Sequence, residues 1–235
     1  MNRRAHLACT HAGLLFAALL ICGVFIVAGW IPPPSPERTA ADVARGFAAD
    51  RLHIGIGMTL LALGSAFYWP FSAAIASQLR RIEGARPVLA VTELAAATGT
   101  VLAVLLPAYV WLALTFRPGA TAPDTVRLFD DFAWLTFIGM YPPALVQNLA
   151  IGACILGAAQ PATTAARVYP RWLGWLNYAV ALAYAVGAPI PFFKRGPFAW
   201  DGLIGFWLAA VCFFGWVGLM WWATARAIRR EAAGS

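Results

Sequence analysis

Long apolar runs dominate the pattern of hydrophobic and polar positions along this chain. Six runs are mostly apolar and approach or exceed the length of about 20 residues that an α-helix needs to span hydrocarbon. They cover about residues 14–31, 52–77, 88–116, 132–159, 172–191 and 198–224. Strands of a membrane barrel would alternate apolar and polar positions over about ten residues instead. The pattern therefore predicts an all-α, six-helix transmembrane bundle that forms one membrane domain. The first run has no small-residue cleavage site after it, so we expect it to be retained as a span.

Composition supports a membrane protein and excludes several other classes. Apolar residues make up 61% of the chain and charged residues 11%, whereas soluble domains have about 45–50% and about 25%. A soluble core cannot absorb so much apolar side chain at this length. Disordered, collagen-like and disulfide-rich chains have different compositions.

The segment between the first two runs predicts a short amphipathic helix over about residues 36–50. Ser35 can cap it with Pro36 at its first position, and Thr39 with Asp42 can form a second cap. Its apolar positions are Val43, Ala44, Phe47 and Ala48. We expect this helix to lie on the outer surface and seal the bundle, with a lid over a pocket as the alternative.

Basic residues are distributed unequally between the two sides that six spans define. The side with both termini has ten Lys and Arg residues, and the other side has seven together with seven acidic residues. Positive charge is retained in the cytoplasm. This predicts an inner-membrane protein with cytoplasmic termini. The net charge of +7 does not indicate nucleic-acid binding, because the basic residues are spread over short loops.

Histidine and lysine positions exclude the common cofactor and metal sites. His6 and His11 lie at one end of the first run, and His53 lies at the opposite side of the membrane. A bis-histidine haem or a three-histidine zinc site needs its ligands at one depth. The only lysine, Lys194, is at a boundary rather than in mid-span, where retinal would need it. The sequence therefore predicts no metal and no cofactor.

Polar residues inside a span are expensive and mark candidate sites. Glu93 is the single carboxyl expected within the membrane. Glu93 and Asn177 are each roughly 8–9 Å from the termini side at 1.5 Å per residue, so they can meet. Gln147 and Asn148 are deeper in the fourth run. Glu93 is the candidate catalytic acid. A structural hydrogen bond, or an ion pair with Arg86 or Arg171, is the alternative.

The fourth run contains Tyr141-Pro142-Pro143 near its middle. Two prolines remove two backbone hydrogen bonds, and a broken helix in a membrane needs neighbours, water or a ligand for the freed carbonyls. We therefore predict a ligand site formed by Tyr141, Gln147, Asn148 and Asn177. The alternative is that the prolines only shape the bundle.

Charged residues at the other membrane surface form a second candidate group. Asp130, Asp131, Lys194, Arg195 and Asp201 are expected to pair with one another, with a polar gate as the less favoured role.

Three functional hypotheses remain open from the sequence. The first is a carrier or binding protein for a small lipophilic molecule, indicated by kinked spans and sparse charge. The second is a membrane-embedded acid–base enzyme, an isomerase or cyclase acting on a lipophilic substrate with Glu93 as its acid. The third is an accessory subunit of a membrane complex. The expected partners are the lipid bilayer, a small lipophilic ligand and either a membrane-protein partner or a second copy, but no nucleic acid.

Overall fold

The computed structural model describes residues 3–157 and 168–231. Within these residues the chain is helical and has no strand. Six helical segments are long and apolar enough to span a membrane: Arg3–Val27, Arg51–Glu83, Val88–Phe116, Pro123–Gly157, Arg171–Phe192 and Leu203–Glu231. They are called the first to sixth spans below. The predicted all-α, six-helix architecture is confirmed.

Most helices continue past the apolar runs that predicted them. The first begins at Arg3 rather than near residue 14, and the sixth continues to Glu231. Only the third run, at 88–116, coincides with its helix. The additional turns are polar, and hydropathy marks only the part of a helix that fits hydrocarbon. The end of the fourth run, residues 158–159, lies outside the described residues.

Two spans are interrupted near proline. The fourth span consists of the helices Pro123–Gly139 and Pro142–Gly157, which confirms the predicted break. The second consists of Arg51–Ser65 and Tyr68–Glu83. There Pro70 has no N–H to donate to the carbonyl of residue 66, and its ring would clash with that carbonyl in a continuous helix.

Two other segments have π-helical rather than α-helical hydrogen bonding. They are Ile21–Val27 at the end of the first span and Leu203–Leu208 at the start of the sixth. Both lie in the half of the bundle away from the termini. π-Helical turns are rare in proteins, and those that do occur are often at functional sites.

The third span lies at the centre of the packing. It contacts both helices of the second span and both helices of the fourth. The first span packs against the second and the sixth, and the fifth packs mainly against the second helix of the fourth. The break in the fourth span fits closely against the third, because a Cβ at Gly99 would lie 2.7 Å from the Cβ of Pro143.

The surface helix is shorter than predicted. It covers Ala40–Ala49, and the Thr39 hydroxyl accepts a hydrogen bond from the Asp42 amide at 3.2 Å. The Ser35 hydroxyl accepts a hydrogen bond from the Glu37 amide at 3.3 Å, but the helix begins four residues later than predicted, so the second predicted cap is the one that caps it. Thr39 satisfies an otherwise free amide at the helix start. The helix buries Val43 and Phe47 and packs against the first helix of the fourth span.

Candidate ligand-binding site

A cavity of about 120 Å³ lies in the half of the bundle away from the termini. All spans except the second contribute to its wall. The wall is mainly aromatic and aliphatic, and its aromatic members include Phe25, Phe137, Phe206, Phe213 and Phe214. Several of these side chains are only half-buried, so the cavity is not fully closed. An apolar hollow of this size accommodates a group of about the size of one benzene ring.

The cavity lies where the helices are irregular. Met140 and Tyr141, which separate the two helices of the fourth span, line it. Phe25 and Phe206 line it from the two π-helical segments and contact each other at a ring-centroid distance of 5.9 Å. Regular helices would pack more closely here. The broken span and the wide turns therefore leave the hollow open.

Three hydroxyl groups belong to residues of the cavity wall. The Thr100 hydroxyl lies 3.4 Å from both the Ala96 carbonyl oxygen and the side-chain oxygen of Gln147. The hydroxyls of Tyr141 and Tyr184 have no hydrogen-bond partner in the described parts of the chain. An apolar pocket with a few polar groups is typical of small-molecule sites.

Glu93 is fully buried in a polar cluster on the termini side of this cavity. Its Oε1 accepts hydrogen bonds from the Ser72 hydroxyl and from Nε2 of Gln147, the latter at 3.0 Å. Its Oε2 is buried and has no partner among the described residues. The carboxyl is therefore hydrogen-bonded through one oxygen only.

Gln147 connects Glu93 with the cavity wall. Its side-chain oxygen accepts a hydrogen bond from the Tyr68 hydroxyl at 2.8 Å and a longer one from Thr100. Its Nε2 donates to Glu93 and also lies 3.4 Å from the Ser72 hydroxyl. A continuous polar path thus leads from Glu93 through Gln147 to Thr100, while Glu93 itself does not line the cavity.

Glu93 has no ion pair within the described ranges. The predicted alternative of pairing with Arg86 or Arg171 is therefore wrong, because the carboxyl points to neutral donors in the bundle interior rather than to the interface. The other alternative, a structural hydrogen bond, describes its contacts. A catalytic role for Glu93 stays a prediction.

The two asparagines do not line the cavity. Asn177 accepts a hydrogen bond from the Trp216 indole at 2.9 Å and donates to the Leu173 carbonyl at 2.7 Å, so the expected meeting with Glu93 is not formed. Asn148 donates to the Ala144 carbonyl at 2.9 Å, and its side-chain oxygen is buried without a partner in the described chain. Of the predicted ligand-binding residues, Tyr141 alone lines the cavity.

The charged residues at the other surface do not pair as predicted. Asp130 pairs with Arg38 at 3.2 Å and accepts a hydrogen bond from the Trp111 indole at 2.9 Å. Arg195 pairs with Glu37. Asp131, Lys194 and Asp201 form no ion pair in the part of the chain that the structure describes. The loop before the surface helix supplies the partners, because it folds back over this end of the bundle.

Tightly packed indoles close this end of the bundle around Asp130. The Trp30 ring lies 4.8 Å from that of Trp111 and 5.3 Å from that of Trp134. Asp130 is 2% exposed. The arrangement ties the loop after the first span to the fourth span, which is a structural role.

Four residues of the site are not predicted from the sequence: Tyr68, Ser72, Thr100 and Tyr184. Helix spacing held a signal for some of them. Tyr68 and Ser72 are four residues apart, and Glu93 and Thr100 are seven apart, so each pair occupies one helix face.

Comparisons with known proteins give no further guide. No protein-family model, no characterised protein and no solved structure matches this chain. Across residues 3–157 and 168–231, no group of three or more His, Cys, Asp or Glu side chains is placed to hold a metal ion. Function must therefore follow from the cavity and its surroundings.

Proposed function

We propose that this membrane protein binds, and in doing so carries, a small lipophilic molecule in the cavity beside the break in the fourth span. The observation that carries the proposal is an apolar, largely aromatic hollow with three hydroxyl-bearing residues in its wall. Such a wall favours a ligand with a ring-sized apolar part and one hydrogen-bonding group.

The hydrogen-bonded chain from Gln147 to Thr100 places a polar group at a fixed position in the cavity wall. Gln147 is fully buried, and its hydrogen bonds to Tyr68 and Glu93 hold its orientation. Through Thr100 the ligand would meet a preorganised group rather than one that must be ordered on binding. The enzyme hypothesis is less favoured, because Glu93 is separated from the cavity by Gln147 and is not within its wall.

The membrane and the orientation belong to this proposal as well. We infer an inner-membrane location with cytoplasmic termini from the ten-to-seven distribution of basic residues. Reporter fusions after Arg117 and after Arg230 should give signals from opposite compartments. Signals from one compartment would contradict the layout.

Binding can be tested with p-cresol and toluene, which differ by one hydroxyl. Saturation-transfer NMR on the purified full-length chain should detect saturable p-cresol binding. Ala210→Phe, which adds a ring at the cavity wall, should abolish it. Ala179→Phe makes the same change at an exposed position of the fifth span and should leave binding unchanged.

The hydroxyl preference gives a second readout. Tyr184→Phe should weaken p-cresol binding about fivefold, as expected for loss of one hydrogen bond, and leave toluene binding unchanged. Equal binding by wild type and Ala210→Phe would show that the signal is micelle partitioning and would contradict the proposal. Native mass spectrometry of the same preparations should show a co-purifying small molecule that Ala210→Phe removes.

A further inference from the structure

The termini side carries a basic and aromatic cleft that is remote from the cavity. The last turns of the sixth span present Trp222, Arg226, Arg229 and Arg230 along one helix face, at spacings of four, seven and eight residues. Two hollows of about 420 and 320 Å³ adjoin this face and share Trp222, Arg226 and Arg230. Pro170 and Trp172, at the start of the fifth span, line the second hollow. We call this surface the arginine cleft.

The acidic residues nearby are already engaged. Glu83 accepts hydrogen bonds from the backbone amides of Leu89 and Ala90 at 2.9 and 2.7 Å, which caps the third span. Glu231 pairs with Arg81 at 3.1 Å. Arg226 and Arg229 are exposed and have no acidic partner among residues 3–157 and 168–231. Their positive charge is left for a group outside the protein.

Indole rings place this charge at a membrane surface. The Arg226 guanidinium lies 5.3 Å from the centre of the Trp222 ring, and Trp222 stacks on Trp172 at a centroid distance of 6.5 Å. Trp222 is 40% exposed and Trp172 47% exposed. Exposed tryptophans at span ends mark the level of lipid headgroups. The guanidinium therefore lies beside lipid-facing rings at headgroup depth.

We propose that the arginine cleft binds the phosphate headgroup of an anionic phospholipid. A guanidinium presents paired N–H donors that match phosphate oxygens, and the indoles provide an apolar wall for the glycerol and the start of the acyl chains. Basic pockets between membrane helices recognise anionic headgroups in this way. The site is independent of the proposed ligand in the cavity.

The test is a lipid titration of the full-length protein in detergent, followed by native mass spectrometry. The probes are phosphatidylglycerol and phosphatidylcholine with the same acyl chains. Wild type should bind phosphatidylglycerol preferentially. Arg226→Gln and Arg229→Gln should each weaken this binding about fivefold, and the double variant about thirtyfold.

A control with the same loss of charge separates a site from general attraction. Arg51→Gln with Arg117→Gln removes two exposed arginines on the opposite side and should leave the preference unchanged. Equal losses in the two double variants, or no preference for phosphatidylglycerol in wild type, would overturn the proposal. Because Arg229 makes no hydrogen bond within the described chain, Arg229→Gln alone keeps the test valid if Arg226→Gln fails to fold.

Discussion

Asp130 and Glu93 are both buried carboxyl residues, yet the two ends of the bundle satisfy them differently. Asp130 has a charged partner, Arg38, and an indole donor. Glu93 has only neutral donors, on one of its two oxygens. A buried charge is tolerated when it is paired, whereas neutral donors also suit a neutral acid. The comparison indicates a charge-paired, structural contact at the Asp130 end, and at the Glu93 end a buried carboxyl that still has one oxygen without a hydrogen-bond partner among the described residues.

The largest effect on stability should come from breaking the ion pair between Arg38 and Asp130. Arg38→Ala leaves the buried Asp130 carboxyl without its counter-charge and should lower the free energy of unfolding by about 3 kcal/mol, the low end of the usual range, because the Arg38 side chain is itself 32% exposed. Detergent denaturation in mixed micelles measures this.

The exposed pair of Arg45 and Asp42 provides the control for this prediction. Arg45→Ala should lower the free energy of unfolding much less than Arg38→Ala does, because exposed ion pairs contribute little to stability. Adding Asp130→Asn to Arg38→Ala should restore part of the lost stability. Equal losses in the free energy of unfolding for Arg38→Ala and Arg45→Ala would show that Asp130 does not depend on its counter-charge, and would contradict the comparison.

A smaller loss is expected from removing the Glu93 side chain. Glu93→Ala takes the acceptor from the Ser72 hydroxyl and the Gln147 amide and leaves a small hollow, so the free energy of unfolding should fall by about 2 kcal/mol. The same denaturation measurement tests it. Thr92→Ala, at the adjacent, partly exposed position, is the control and should cost little stability.

Glu93→Gln should change the free energy of unfolding by less than about 1 kcal/mol. The amide oxygen still accepts both hydrogen bonds, and the amide replaces a carboxyl that already has one unpartnered oxygen.

The same Glu93→Gln variant also separates the functional hypotheses. A binding protein should keep its p-cresol affinity in this variant, whereas an enzyme with Glu93 as its acid would lose turnover of its substrate. Loss of p-cresol binding would show that Glu93 acts on the ligand.

The smallest effect concerns Asp42, a carboxyl that is exposed. The Thr39 hydroxyl, and then Arg45, lower the pKa of Asp42 below its ordinary value. A lowered pKa in the folded state gives a contribution to stability that is present above the ordinary pKa of about 3.9 and is lost as the pH falls through the lowered value. In an NMR titration, Thr39→Ala should raise this pKa, and Thr39→Ser should not. An unchanged pKa in Thr39→Ala would contradict the assigned cause.

For Glu93 and Gln147, burial could be predicted from the sequence but their contact could not. Both stand out as polar residues in apolar runs, and each was expected to be buried. Their direct contact was not expected, because depth along a span gives no information about which neighbours face each other. Ser72 and Thr100 gave no signal on their own, since hydroxyl residues are common in membrane helices and often bond to their own backbone.

The chain by itself determined six membrane-spanning helices and the break at Pro142-Pro143. These follow from local physics: hydrocarbon requires long apolar helices, and proline lacks a backbone donor. Only the tertiary structure decided that Arg38 pairs with Asp130, that Gln147 joins Glu93 to Thr100, and that the break borders a cavity. Such pairings depend on the rotation and packing of helices that are distant in sequence, and no local pattern encodes those.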